Sequence, residues 1–215
     1  MRRHASGDFR VATVTDERPD ALAESRGDFL KTAFAGSGAL VAGGVFLGLP
    51  KLAASAPKTQ DIRVMNFLLL LEYAQAAFYE EALSRGELRG DLLEFADLAR
   101  KHEQEHIEAL RGRLGKRASK EPKFDFAEAA GNADRFAATA FALEENACAS
   151  YIGQSGNLSR HLRPTAAGIV AIEARHAAWI RHILGRNPAP NAADPSKTPE
   201  QAMRFLRRRR FLTSS

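Results

Sequence analysis

The sequence contains very few cysteine, tryptophan and tyrosine residues. Its 215 residues include one cysteine, one tryptophan and three tyrosines. Because Cys148 has no second cysteine to pair with, no disulfide can form within the chain, and metal sites built from several cysteines are excluded. A lone cysteine on an apolar helix face is typical of a small core residue. Any metal site must therefore use mainly histidine and carboxylate side chains.

The chain also lacks a basic surface outside its C-terminal end. The net charge of +5 equals the contribution of five arginines near the end of the chain, namely Arg204, Arg207, Arg208, Arg209 and Arg210. A nucleic-acid surface needs basic residues along a face, with aromatic or polar residues among them. We therefore expect no nucleic-acid partner. The basic end is either a solvated segment or a region attracted to acidic partners such as anionic lipid.

Long apolar runs are absent, apart from one weakly apolar stretch. Residues 32–49 are eighteen uncharged residues that include five glycines, at the short end for spanning a bilayer. The basic stretch SRGDFLK, residues 25–31, precedes them, and Ala-Ser-Ala at 54–56 provides the small-residue end of an export signal. The stretch resembles a twin-arginine signal, with Gly27 where the second arginine stands. We expect an exported, periplasmic or cell-envelope protein, and the alternatives for 32–49 are membrane association through an uncleaved leader or a buried glycine-rich helix.

No segment after residue 56 shows the alternating apolar pattern of a β-strand. Apolar residues recur at spacings of three and four, as in amphipathic helices packed into a bundle. Glycine, proline and capping residues predict four long helices, near 59–84, 91–114, 132–152 and 164–185, with Thr59 as the first N-cap. The stretch TPEQ at 198–201 predicts a short fifth helix with a capping box. The expected fold is all-α, an antiparallel four-helix bundle with a short C-terminal helix.

These boundaries predict three regions. Residues 1–56 form an extension with an export signal or anchor, residues 57–187 form the bundle, and residues 188–215 form a C-terminal segment with a short basic helix.

Four glutamates interrupt otherwise apolar helix faces: Glu72, Glu103, Glu144 and Glu173. An unpaired carboxylate in an apolar interior is strongly unfavourable, and no lysine or arginine lies on these faces except Arg100, within one turn of Glu103. Two divalent metal ions would balance four carboxylate charges. Charge balance therefore favours a site with two metal ions.

The same arrangement of residues occurs twice. A glutamate is followed seven residues later by a tyrosine, and about thirty residues later by Glu-x-x-His. The two sets are Glu72, Tyr79, Glu103 and His106, and then Glu144, Tyr151, Glu173 and His176. Glu145 also has apolar neighbours, and the spacing to Tyr151 is the reason for choosing Glu144. Two helix pairs of this kind form the di-metal carboxylate site of helical bundles.

Residues 57–185 resemble the ferritin-like superfamily, and the stretches LLEYAQAAFY (70–79) and ALEENACASYIG (142–153) are similar to secreted ferritin-like proteins of the desiccation-related type. The resemblance implies Glu72 and Glu144 as terminal metal ligands, Glu103 and Glu173 as bridging carboxylates, and His106 and His176 as nitrogen ligands. It further implies that Tyr79 and Tyr151 lie next to these ligands.

Mixed histidine and carboxylate ligands suit iron or manganese better than structural zinc. We expect two iron ions, with manganese as the alternative, in an oxidoreductase or ferroxidase-like protein whose partners are metal ions and small oxidants. The alternative is a metal-binding or stress-related bundle without catalysis. The sequence leaves the oligomeric state open.

A different chemistry is suggested by His102-Glu103-x-x-His106, the zinc metalloprotease motif H-E-x-x-H. Its extended form is not present, because Ala109 and Gly112 stand where that form has glycine and histidine. This alternative also leaves the repeat unexplained. We expect His102 to be a partly exposed helix residue. The alternative is that it hydrogen-bonds to one of the metal ligands.

Overall fold

The computed structural model describes residues 58–213, and all regular structure in this range is helical. Two short 3₁₀ turns and one isolated β-bridge, between Phe124 and Leu212, complete it. The helices of the described range are α1 (Thr59–Ser84), α2 (Gly90–Leu114), α3 (Ala133–Gln154), α4 (Arg163–Ile183) and α5 (Pro199–Arg208). The expected fold, four long helices and a short fifth, is confirmed.

The helix ends follow the local sequence, with one difference. Asn132 caps α3 by accepting a hydrogen bond from the Arg135 amide, and Thr198 with Gln201 forms the predicted capping box of α5. The predicted cap at Thr59 is wrong, because Thr59 is the first helical residue and Lys58 is the cap. The N-terminus of α1 is held by Asp61, which accepts hydrogen bonds from the Lys58 amide at 3.0 Å and from Ser159 at 2.8 Å. A contact from a distant turn thus fixes where α1 begins.

The four long helices pack as two pairs. Helix α1 lies mainly against α2, and α3 lies mainly against α4, while α1 with α3 and α2 with α4 join the pairs across the bundle. Aromatic side chains fill one part of the core, with the Phe78 ring stacked on Phe136 and edge-on to Phe126. Each long helix therefore presents one face to a common interior, as the apolar spacing requires.

The segment leading into α5 is fastened to α3. The Lys197 amide donates to the Ala149 carbonyl at 2.9 Å, and its Nζ donates to Asn146 Oδ1 at 2.9 Å. A Cβ at Gly153 would lie 2.0 Å from the Lys197 carbonyl oxygen, so this approach requires glycine. Helix α5 buries Leu206 in the core and leaves its arginines exposed.

The predicted leader lies outside the described residues. This applies to residues 25–31, 32–49 and 54–56, so the export signal, the membrane association and the three-region division stay predictions. Within residues 58–213, no helix has the length and apolar character needed to cross a membrane.

Candidate metal centre

Each long helix places one glutamate in the bundle interior, and α2 and α4 add a histidine one turn further on. The glutamates have 0% of their surface exposed, and the two histidines have 1% and 2%. The six residues are Glu72 on α1, Glu103 and His106 on α2, Glu144 on α3, and Glu173 and His176 on α4. The structure therefore brings together all six residues that the sequence predicts as metal ligands.

The first half of the cluster surrounds the imidazole of His106. Its Nδ1 lies 3.1 Å from Glu72 Oε2, 3.0 Å from Glu103 Oε2 and 3.2 Å from Glu173 Oε1. Three carboxylates from three helices thus converge on one nitrogen.

The second half surrounds the imidazole of His176. Its Nδ1 lies 3.2 Å from Glu103 Oε1 and 3.4 Å from Glu144 Oε2. Glu103 therefore turns one oxygen toward each histidine, as a carboxylate does when it bridges two metal ions. In the described residues, two groups of four candidate ligands satisfy the distances of a metal site, and both contain Glu103 and Glu173.

Several buried atoms of the cluster make no hydrogen bond. These atoms are Glu103 Oε1, Glu144 Oε2, Glu173 Oε1 and His176 Nδ1. Buried polar atoms are nearly always hydrogen-bonded, so such a group needs an explanation. Carboxylate oxygens and an imidazole nitrogen that face one centre are the donors that bind divalent iron or manganese. The residues present therefore fit a pair of such ions.

The buried titratable groups of the cluster shift one another's pKa values. Burial raises the pKa of Glu72, and raises that of Glu144 to about 8. Burial acts in the opposite direction on the histidines, but the charges of Glu72 and Glu144 raise the pKa of His106 and of His176 well above the usual value. Although burial opposes its ionisation, Glu103 has a lowered pKa because His106 hydrogen-bonds to it and the charges of both histidines lie close to its carboxylate. These shifts favour the protonated forms of Glu72, Glu144 and both histidines when no metal ion is bound.

Two buried tyrosines hydrogen-bond to carboxylate oxygens of Glu72 and Glu144. Tyr151 donates its hydroxyl to Glu72 Oε1 at 2.5 Å, and Tyr79 donates to Glu144 Oε1. Each tyrosine thus contacts the glutamate of the other half of the repeat. Burial, followed by the nearby carboxylate charges, raises the pKa of both hydroxyls, so both stay protonated donors at neutral pH.

Gln75 is a contact residue that was not predicted from the sequence. Its Nε2 donates to Glu173 Oε2 at 3.1 Å, and the side chain is buried. Gln75 lies three residues after Glu72, on the same face of α1, where Ala147 stands after Glu144 in the repeat. A polar residue on that core face was the available signal.

Three side chains that the sequence places near the cluster, those of Glu145, Cys148 and Arg100, contact partners outside it. Glu145 pairs with Arg181, which supports the choice of Glu144 for the cluster. Cys148 Sγ lies 4.0 Å from Asp194 Oδ2, and burial raises the thiol pKa to about 12, so a small core residue is the better description. Arg100 pairs with Asp97 at 3.5 Å.

His102 lies outside both ligand groups of the described chain. It is partly exposed, as expected, and its Nδ1 lies 2.9 Å from His176 Nε2. Glu103 faces both histidines of the cluster, whereas a zinc protease would keep it free as a base. This arrangement does not favour the H-E-x-x-H interpretation.

Comparison with known proteins agrees with this geometry. No curated protein matches the chain. The model of the ferritin-like domain family matches residues 60–186, which is more than half of the 215 residues and includes nearly all of the four bundle helices. The chain therefore belongs to the ferritin-like domain family.

Proposed function

We propose that this protein binds two iron ions among its four long helices and acts as an oxidoreductase or ferroxidase-like protein. The observation that carries the proposal is the pair of ligand groups that share Glu103 and Glu173. Two divalent ions would bring four positive charges to four buried carboxylates, so the burial of these charges is balanced. Manganese ions would satisfy the same ligands.

The six ligands would have distinct roles in this proposal. Glu72 with His106 would hold one ion, and Glu144 with His176 would hold the other. Glu103 and Glu173 would lie between the two ions, which is consistent with the two oxygens of Glu103 facing different histidines.

The surroundings of the cluster support small reactants. When bound, two iron ions supply one-electron steps and coordination positions for oxygen or peroxide. All six ligands are buried, and the tyrosine hydroxyls already occupy one oxygen of Glu72 and one of Glu144. So enclosed a site suits ferrous iron, oxygen or peroxide as reactants rather than an organic substrate.

The same enclosure supports a second candidate function. A fully buried metal pair whose ligands are held by tyrosines could serve as a cross-link between helices, in a stress-related bundle without catalysis. The two candidates share the metal site and differ in turnover.

Export of the protein is a further part of the proposal, together with membership in the secreted, desiccation-related type. It rests on the signal-like sequence of residues 25–56. Fusing residues 1–56 to a reporter that is active only outside the cytoplasm tests it, since an inactive reporter would contradict export.

The test of function is anaerobic loading of the full-length chain with Fe²⁺, followed by oxygen or peroxide, with ferric absorption recorded over time. We expect two irons per chain and rapid oxidation. Glu103→Gln should abolish both, while Glu108→Gln, an exposed residue of the same helix, should change neither. Two irons without oxidation would favour the structural role, and fewer than about 0.3 metals per chain would overturn the di-metal proposal.

A further inference from the structure

Two histidine rings lie side by side where α2 and α4 pack. His102 Nδ1 is 2.9 Å from His176 Nε2, and the ring planes are within 9° of parallel with centroids 5.2 Å apart. Phe95 packs against the His176 ring in an edge-to-face arrangement, with centroids 6.2 Å apart. The His176 imidazole is therefore held by a polar contact and by an aromatic contact.

The two nitrogens of His176 have different surroundings. Nδ1 faces Glu103 and Glu144, whereas Nε2 faces His102. A nitrogen that binds a metal ion must offer its lone pair, so the proton of the neutral ring then resides on the other nitrogen. With Nδ1 bound to a metal ion, the Nε2 proton would point at His102 Nδ1, which would accept the hydrogen bond.

The internal repeat breaks at this position. His102 immediately precedes Glu103, whereas Ile172 immediately precedes Glu173. An isoleucine side chain has no nitrogen or oxygen, so position 172 cannot provide an imidazole acceptor of this kind to α2. The contact therefore belongs to one half of the cluster, the half that contains Glu144 and His176.

We propose that His102 is a positioning residue for the metal ion held by Glu144 and His176, and that the other metal position does not depend on it. By accepting a hydrogen bond from His176 Nε2, His102 would fix the tautomer and the orientation of the His176 ring. Nδ1 of that ring would then point toward Glu103 and Glu144. The inference rests on the proposed di-metal function. Loss of such an outer hydrogen bond usually costs about 10–100-fold in metal affinity.

The test is a Co²⁺ titration of the full-length chain, with a chromophoric chelator as competitor and circular dichroism as the check of folding. The wild type should bind two Co²⁺ ions. His102→Leu should lower the affinity for one Co²⁺ ion by about 10–100-fold and leave the affinity for the other unchanged. His102→Asn puts a side-chain oxygen near the position of Nδ1 and should restore the affinity. His182→Leu, which removes an exposed histidine of α4, should change neither ion.

Three outcomes would overturn this inference while leaving the di-metal function in place. They are unchanged affinities in His102→Leu, equal weakening of both ions, and His102→Asn as weak as His102→Leu. A wild-type chain that binds no Co²⁺ would overturn both proposals.

A second measurement needs no substitution, so it applies even if His102→Leu does not fold. In the Zn²⁺-loaded, nitrogen-15-labelled protein, we expect a nuclear coupling across the hydrogen bond from His176 Nε2 to His102 Nδ1. A His176 ring protonated on Nδ1, or no coupling between these two nitrogens, would contradict the inference.

Discussion

The hydroxyl of Tyr151 lies 2.5 Å from Glu72 Oε1, so a tyrosine of α3 holds a carboxylate of α1. The reciprocal contact joins Tyr79 of α1 to Glu144 of α3. Glu72 and Glu144 thus each have one oxygen bound by a tyrosine, and the other oxygen faces a histidine, His106 or His176. The tyrosines fix the direction in which the histidine-facing oxygens point.

Replacement of this tyrosine tests the contact. Tyr151→Phe removes the donor to Glu72 and leaves a buried carboxyl oxygen without that partner, so we expect the free energy of unfolding of the metal-free protein to fall by about 1–3 kcal/mol. Urea denaturation of the wild type and the variant measures it.

Tyr73→Phe is the matched control for this prediction. Tyr73 is a buried tyrosine of α1, and its hydroxyl donates to the Ser119 carbonyl at 3.3 Å, away from the cluster. We expect a smaller loss from Tyr73→Phe and no change in metal affinity. Equal effects of the two substitutions would show that Tyr151 only packs.

Adjacent glutamates on α3 provide a second test. Glu144→Gln replaces a proposed metal ligand, so the variant should bind one metal ion fewer or bind it at least about tenfold more weakly. Glu145→Gln breaks the pairing with Arg181 instead and should leave metal binding unchanged. Elemental analysis after dialysis measures the metal content of both variants. A loss of metal in Glu145→Gln alone would show that Glu145, and not Glu144, is the ligand.

The stability of the metal-free protein should depend on pH in an unusual direction. Burial raises the pKa of Glu144 to about 8, and the pKa values of His106 and His176 are raised as well. Folding therefore favours the protonated forms of these three side chains. Their contribution to the free energy of unfolding is lost as the pH rises through the folded-state pKa values. Glu103 has a lowered pKa, so its ionised carboxylate stabilises the folded state. This contribution to stability is lost only at lower pH, as the pH falls.

We accordingly expect the Tm of the metal-free protein to fall between about pH 5 and pH 8. The rise in Tm caused by added metal should grow over the same range, because metal competes with protons for the same ligands. Differential scanning calorimetry with and without metal measures both trends. A metal-free Tm that rises across this window would contradict the coupling of protons to the cluster.

Two helical glycines should respond to alanine with opposite signs. At Gly153, the new Cβ would lie 2.0 Å from the Lys197 carbonyl oxygen, so Gly153→Ala should cost about 1–3 kcal/mol and loosen the segment before α5. At Gly112, an added Cβ would meet no atom of a neighbouring element within 4 Å, so Gly112→Ala should stabilise the protein by up to about 1 kcal/mol. Thermal unfolding gives both values, and a neutral Gly153→Ala would show that the segment is not tightly held.

The fold and the set of six clustered residues were predictable because their signals are local. Apolar spacing, Asn132, the capping box at Thr198 and the glycines beyond the helices mark the helix ends to within a few residues. The repeated Glu-x-x-His pairs place each histidine one turn from its glutamate on any helix. Burial then follows from the apolar residues that share these faces.

The remaining contacts depend on how the helices rotate and slide against one another. The pairing of Tyr79 with Glu144, rather than with Glu72 of its own helix, needs the relative height of α1 and α3. The His102 contact with His176 needs the rotation of α2 toward α4. Lys58 replaces Thr59 as the cap of α1, where Asp61 meets Ser159, 98 residues away in sequence. The spacing of residues in the sequence does not give the relative height or rotation of the helices.

Two metal ions that share Glu103 and Glu173 should be visible by anomalous diffraction at the iron absorption edge. Crystals of the Fe²⁺-loaded protein should show two peaks in the bundle interior, both next to the carboxylates of Glu103 and Glu173. One peak should lie beside His106 and the other beside His176. A single peak held by His102 and His106, or no peak among the six residues, would exclude the proposed two-metal site.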